Sequence, residues 1–577
     1  MTAADPTVTA GPTGREAPAT TPAAPAAGPS FWRRLGRGGR LAFDLAVLLV
    51  VALATLAPGI ATLPVTDRDE ARFVQATRQM VETGNWIDIR FQDEPRYKKP
   101  VGIYWLQGAA VEASGQGAAA PIWVYRIPSL AGAVLAVLLT YAIGRTLGGA
   151  GVGLVAGLLA VGTIELGVEA RIAKTDGVLL ATVLAAEWAL AALWMDPERR
   201  RAFGRNAVFW TALAVGILVK GPVILLVVGG SLAVLSVVER STGLWRALSP
   251  LRGLAWMLLL VAPWLVAIGW ISEGAFFTKS IGDDMLAKVA SGQESHGAPP
   301  GTHALVALAT FWPLSALIPA TIAWAIAARR DKAATFLIAW VLPGWIAFEA
   351  IATKLPNYVL PFMPAFAVGA GLALSAGALA ATSWWRRGSY LLVALGGLAL
   401  SIGLNAVFVV YEGRAEPFGL AGGVAAGALA IAASWLLVRG RTRLGVVVTA
   451  VAAAAVATTG FALLFPRAEH IWLTERLMAE VERVKACPAP TVISVGYGEP
   501  SLVFRAGTGT VLADAAGGVA AFQAADCAVL AVDARKGGEV SAAFAAAGAA
   551  QPAAIATVEG RNLNGLKPRS LALYVRP

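Results

Sequence analysis

Residues 41–72 read LAFDLAVLLVVALATLAPGIATLPVTDRDEAR. An apolar run fills 41–63, and acids and bases follow at once in Thr66-Asp67-Arg68-Asp69-Glu70-Ala71-Arg72. A bilayer core takes about 20 apolar residues per helix, so the run reads as a membrane span that opens into a charged loop. Outward from it the pattern recurs at 127–147, 151–169, 177–195, 206–220, 221–238, 251–271, 304–328, 334–353, 358–380, 389–411, 417–438 and 442–465. Thirteen spans are therefore expected, with 206–220 and 221–238 divided only by Lys220-Gly221-Pro222.

Composition agrees. Of 577 residues, 57% are hydrophobic and only 14% charged, against about 25% charged in soluble proteins. That excludes an ordinary cytosolic enzyme and a disordered protein. The net charge of +11 would suggest nucleic acid in a soluble chain. Here the arginines lie in short loops, where they set membrane orientation, and no nucleic acid is expected. Two cysteines and three histidines make a zinc cluster or a disulfide-rich scaffold an unfavoured reading.

Arg33, Arg34, Arg37 and Arg40 precede the first span, and every second connection after it is basic again. Examples are Arg199-Arg200-Arg201, Arg329-Arg330 and Arg439 with Arg441 and Arg443. The rule that cytoplasmic loops are positive then gives a multi-pass membrane protein with a cytoplasmic N-terminus. Three regions are expected: a disordered cytoplasmic tail over 1–40, a membrane domain over 41–465, and an α/β domain over 466–577 on the opposite side of the membrane from the tail, the periplasmic side if the resemblance described below holds. No signal-peptide cleavage pattern accompanies the first span, which is expected to be retained.

The opposite face carries the unusual residues. Its two long loops are 64–126 and 272–303, and its short turns hold Glu169, Arg171, Lys174 and Asp176, then Lys220, then Lys354-Leu355-Pro356-Asn357-Tyr358. Ionisable groups at membrane depth are costly and mark functional sites. Lysine and arginine suit a phosphate, a carboxylate suits removal of a hydroxyl proton, and tryptophan and tyrosine suit the interface where a lipid chain enters. Plainer readings stand beside these. Asp67 and Glu70 have the spacing of a capping box. Lys98, Lys99, Lys220 and Lys354 also suit headgroup or span-end anchors. Of the histidines, His296 is the candidate ligand, and His303 and His470 read as structural.

Asp69-Glu70-Ala71-Arg72, Gly84-Asn85-Trp86, Tyr97-Lys98-Lys99-Pro100 and Tyr104-Trp105-Leu106 resemble the first periplasmic loop of glycosyltransferases of the family 39/83 type. These include lipid A aminoarabinose transferases and, more distantly, protein O-mannosyltransferases. Lys174-Thr175-Asp176, Leu218-Val219-Lys220-Gly221-Pro222 and the turn from Lys354 resemble further motifs in the same order, over about residues 60–365. The resemblance implies a C-type glycosyltransferase fold and a sugar donor linked to polyprenyl phosphate. It implies Asp69 as catalytic base, Asp176 as a second acid, Lys99 as holder of the carrier phosphate, and Tyr358 near it. Arg72, Lys98, Arg171, Lys220, His296 and Lys354 complete the expected binding set. Aminoarabinose transferases carry Phe-Glu-Lys-Pro where this chain has Tyr97-Lys98-Lys99-Pro100. Lys98 cannot replace a metal-binding glutamate, so no cofactor or metal is assigned and a divalent ion is doubtful.

Past residue 466 the runs change character. Residues 491–495, 527–532 and 570–575 read as strands, and 515–524 and 540–549 as helices, which suggests a small α/β domain. Gly496-Tyr497-Gly498-Glu499-Pro500 is not a dinucleotide fingerprint. Whether Cys487 and Cys527 pair stays open. The expected partners are a polyprenyl-phosphate-linked sugar, membrane lipids, and a glycolipid acceptor such as lipid A or lipopolysaccharide. A protein hydroxyl is the alternative acceptor. A transporter or flippase is the alternative class, but no internal repeat of the transporter kind is found. A structural assembly protein would leave the shared face of Asp69, Lys98, Lys99, Asp176 and Lys354 unexplained.

Overall fold

The computed structural model describes residues 36–196, 198, 203–287, 297–380 and 382–576. His296, Arg199-Arg200-Arg201 and all of the expected tail before Gly36 lie outside the described residues. The chain divides at Asp44 into two units. Among the described residues the first supplies only the start of helix Gly36–Leu56, and the second, from Leu45 on, holds the other elements.

Each of the thirteen apolar runs is helical over most of its length. Among the described residues, eight helices are long and apolar enough to cross a membrane, and Thr302–Thr310 with Leu314–Ala327 makes a ninth if that pair is one span. The pair bends by 116° at Phe311-Trp312-Pro313, where proline has no N–H for the helical ladder. The remaining expected spans are short. Ala150–Val161, Val223–Glu239 and Leu360–Ser375 are apolar but have 17 residues or fewer, and Phe203–Lys220 carries Arg205 and Lys220 near its ends. The chain is a multi-pass membrane protein.

Burial separates centre from rim. Asp176–Met195 is 78% buried in its apolar window, whereas Pro250–Ile271 is 17% buried. The latter turns Leu251 and Trp270 outward, as a surface covered by lipid does. The central contact needs glycine. A Cβ on Gly132 would stand 2.6 Å from the Gly177 carbonyl oxygen, and one on Gly177 would stand 2.7 Å from that of Ser129. This close approach brings helix Ile122–Gly148 against the start of Asp176–Met195.

A small ribbon, β1 (Arg90–Phe91) and β2 (Glu94–Pro95), lies in the first loop. The C-terminal region builds a five-stranded sheet from β3 (Thr491–Val495), β4 (Val511–Ala513), β5 (Ala528–Asp533), β6 (Ala556–Asn562) and β7 (Lys567–Arg576). The order is β4-β3-β5-β7-β6, with β3 parallel to β4 and β5 and β7 antiparallel to β5 and β6. Helices cover both faces. Val519, Phe522, Val540 and Phe544 pack on one, and Leu473, Leu477 and Val481 on the other. That double cover is why β5 is a continuous apolar run. The register pairs Thr491 with Ala528, which brings the flanking Cys487 and Cys527 into a disulfide with a Cα separation of 6.6 Å.

One buried ion pair fixes the start of the first loop. Arg126 donates from Nε and Nη2 to the two oxygens of Glu70, at 2.8 and 2.9 Å. It also donates to the carbonyls of Ile60, Leu63 and Pro64. Glu70 accepts further bonds from the backbone N and hydroxyl of Thr66 and from the backbone N of Ala173 at 2.8 Å. Burial alone would push this carboxyl up, but Arg126 and these donors hold it below the usual glutamate range. Glu70→Gln keeps the shape and leaves Arg126 a buried, uncompensated charge. It should cost about 3–5 kcal/mol, read as a lowered thermal midpoint of the detergent-purified protein. An unchanged midpoint would show that the pair is dispensable.

Candidate functional site

The Glu70 anchor sets where Asp69 stands. Helix Asp69–Thr83 begins after Arg68, which has φ 65°, and no side chain caps it. The capping-box expectation for Asp67 and Glu70 therefore fails, because Glu70 is spent on Arg126, Thr66 and Ala173. Asp67 turns toward the C-terminal domain instead. Its Oδ1 is buried without a hydrogen-bond partner among the described residues. Burial pushes its carboxyl up to about 6, against the lowering effect of Ser501, and Glu499 adds to the rise.

Ala173, held by Glu70 and through its carbonyl by Gln107, leads directly into Lys174-Thr175-Asp176. Lys174 is fixed through its backbone, which exchanges hydrogen bonds with the Ser129 hydroxyl. Its ammonium lies 3.1 Å from Glu169 and 3.8 Å from Asp176. Burial lowers the affinity of Lys174 for its proton, but Glu169 and Asp176 outweigh it and hold the pKa above the usual lysine value. Asp176 Oδ1 also accepts from Lys220 Nζ and, at 2.8 Å, from Asn357 Nδ2. Three separate connections thus meet at one carboxylate. Helix Gly102–Ser114 packs against the end of Phe203–Lys220 so closely that a Cβ on Gly102 would be 2.7 Å from the Leu218 carbonyl. The Lys-Pro motif at Lys99 is therefore adjacent in chain to the element that abuts the Lys220 turn.

Asp69 is exposed, and its charge acts on both Lys174 and Tyr104. Among the described residues, no hydrogen bond or ion pair of its side chain is formed. Arg72 is half-buried one turn on, and Lys98 is exposed. Lys99 forms an ion pair with Asp284 of the second loop, Nζ to Oδ2 2.6 Å. Tyr358 is half-buried, its ring 5.6 Å from Phe348 and 6.1 Å from His303.

Two expected binding residues do not fit that role. Arg171 is buried and donates to the carbonyls of Pro58, Gly167 and Thr55, with its guanidinium stacked 4.4 Å from the Phe461 ring. Burial lowers its pKa to about 10, which leaves it a charged structural tie. Lys354 donates to the carbonyls of Phe348, Glu349 and Ile351, where a cation offsets the negative end of helix Lys332–Ala350. Its plainer reading as a span-end group is the one its contacts fit. Lys174, Asn357 and Asp284 were given no role by reasoning from sequence, though Lys174 and Asn357 stood in motifs already singled out and Asp284 in the second long loop. Among the described residues no group of three or more His, Cys, Asp or Glu is placed to hold a metal ion.

A family model described as dolichyl-phosphate-mannose-protein mannosyltransferase matches residues 98–267. The undecaprenyl phosphate-alpha-4-amino-4-deoxy-L-arabinose arabinosyl transferase of Pseudomonas aeruginosa (strain LESB58) is 27% identical over 316 residues, 53% of this chain and 55% of that protein. The protein of the same name from Pseudomonas paraeruginosa is 28% identical over 365 residues, 61% of this chain and 63% of that one. The chain thus spans a little over half the length of the curated relatives it matches. The crystal structure of ArnT from Cupriavidus metallidurans bound to undecaprenyl phosphate superposes with a TM-score of 0.73, covering 93% of this chain and 98% of that one at 20% identity. The fold is that of the C-type glycosyltransferases. In sequence the chain is similar to the aminoarabinose transferases over part of its length, and in fold it is similar to one of them over most of it.

Asp67 makes a pH prediction at the junction with the C-terminal domain. Its folded pKa of about 6 lies above the ordinary 3.8, so the folded state binds more protons between those values. Stability then falls as pH rises through that window. Asp67→Asn lacks the effect. Its thermal midpoint should gain on wild type by roughly 2 °C between pH 4 and pH 7, and parallel curves would contradict this.

Proposed function

We propose that this protein is an integral membrane glycosyltransferase that moves a sugar from a polyprenyl-phosphate carrier to an acceptor on the periplasmic face of the bacterial inner membrane. The N-terminus is cytoplasmic, and the 466–577 domain lies on the same side as the site. The observation that carries this reading is the pattern of pairing. Glu70 is held by Arg126, Glu169 by Lys174, Asp176 by Lys220 and Asp284 by Lys99. Asp69 forms no such contact among the described residues, is exposed, and acts on Lys174; Glu165, the other acid near Lys174 without an ion pair there, is buried and closed to an acceptor.

A free carboxylate beside a row of lysines suits displacement at a sugar. Asp69 takes the proton of the acceptor hydroxyl. The acceptor oxygen bonds to the anomeric carbon as the bond to the carrier oxygen breaks, and the carrier phosphate leaves with that electron pair. Attack opposite the leaving group inverts the anomeric centre. Lys99, with Lys98 and Lys220, stabilises the growing phosphate charge, a preorganised electrostatic effect. Asp176 we assign to positioning: it orients Lys174 and Lys220, and Asn357 steadies it. Arg72 stands close to the base and Tyr358 lines the far side. The resemblance to aminoarabinose transferases favours lipid A or another glycolipid as acceptor. A protein hydroxyl is the second reading, favoured by the family model matched over residues 98–267.

Asn at position 69 keeps the shape and cannot accept the proton. Asp69→Asn should cut transfer by about 10²–10⁴-fold in an assay with purified protein, radiolabelled lipid-linked sugar and glycolipid extract. Asp67→Asn, whose side chain turns to Ser501, should transfer at close to the wild-type rate. Near-normal transfer by Asp69→Asn would overturn the assignment.

A further inference from the structure

The second loop reaches into the first at the lysine expected to hold the carrier. The segment Thr278–Leu286 follows helix Pro250–Ile271 through Ala275–Phe277. It is seated by aromatic contacts that do not involve the ion pair. Phe276 meets Tyr97 edge-on at 5.8 Å and Trp264 at 5.0 Å, and Trp264 Nε1 donates to the Ile87 carbonyl. The same contacts bring Lys279 to 6.0 Å from the Tyr97 ring. Lys98, Lys99 and Lys279 therefore gather around the Lys-Pro motif. Into this cationic corner the loop inserts the Asp284 carboxylate, which meets Lys99 at 2.6 Å with only 10% of its side chain exposed.

Resting on the carrier reading above, we propose that Asp284 is the internal ligand that exchanges with the carrier's phosphate on Lys99 and drives release of the spent carrier. The charges explain why such a ligand is useful. A lipid-linked sugar donor is a phosphodiester with one negative charge, so Lys99 trades one monoanion for another and entry is nearly balanced. Transfer leaves a phosphate monoester, whose second ionisation near pH 6 gives about −1.5 to −2 charge. The product thus holds Lys99 harder than the substrate did. A carboxylate tethered beside the same ammonium competes at high effective concentration and offsets that gain. Asp284 is a positioning and release group; it takes no part in bond making.

The test is the binding of radiolabelled undecaprenyl phosphate to the full-length protein in detergent, with transfer kinetics alongside. Asp284→Asn should bind the lipid roughly three- to tenfold more tightly, as loss of a partly exposed competing ion pair allows. Its kcat should fall while its donor KM also falls. Asp283→Asn changes net charge equally, but Asp283 is exposed and has no part in the pair; its affinity should match wild type. Asp284→Glu restores a carboxylate and should restore wild-type affinity, which separates competition from a folding defect. Lys99→Ala should bind weakly, and adding Asp284→Asn to it should change nothing. Unchanged or weaker binding by Asp284→Asn overturns the proposal, as does equal tightening by Asp283→Asn. If the wild-type protein binds no undecaprenyl phosphate at all, the carrier reading itself falls.

Discussion

The contact between Glu70 and Arg126 is the constraint on which the site depends. An arginine inside a membrane helix needs a partner, because an unpaired charge there is costly. Glu70 supplies it from the first turn of the loop helix, and the same carboxylate reaches Ala173. Three stretches of chain are tied at one point: the end of the first span, the first loop and the connection before Asp176. Pairing at this depth gives back little net stability. What it fixes is geometry, since Asp69 lies one residue before Glu70 and Lys174 one residue after Ala173.

From that point outward the face is built of alternating charges. Glu169, Lys174, Asp176 and Lys220 form a ladder in which each acid touches a base. The ladder holds two ammonium groups near the membrane boundary without leaving either unpaired. Such fixed charges need no reorganisation when a phosphate departs, which is the source of most electrostatic catalysis. Arg171 and Lys354 belong to a different layer, where cations tie backbone carbonyls together behind the site. Residue type alone does not separate the two layers; the contacts do.

Much of this was legible in the sequence. The spans were visible because a bilayer demands long apolar runs, and β3 and β5 because both faces of the sheet are covered. Strand β6 was not, since it is an edge strand whose Thr557, Glu559 and Arg561 alternate with less polar residues and read as loop. The loop-one motifs pointed to Asp69 and Lys99. Glu70 was read as a cap because its spacing from Asp67 fits one, while its true partner, Arg126, is 56 residues away. Asn357 and Asp284 escaped for the same reason: they meet Asp176 and Lys99 across 181 and 185 residues. Spacing arguments see a helix turn, and these contacts are made only when distant spans pack.

The most direct measurement is an electron cryomicroscopy structure of the full-length protein with undecaprenyl phosphate in lipid nanodiscs. The account predicts phosphate density on the loop-one face, in contact with Lys99 or the Lys174–Lys220 ladder, with the lipid chain running into the membrane and Asp69 open to an acceptor. Phosphate bound instead beside Arg329 and Arg330, or on the C-terminal sheet away from Asp69, would contradict it.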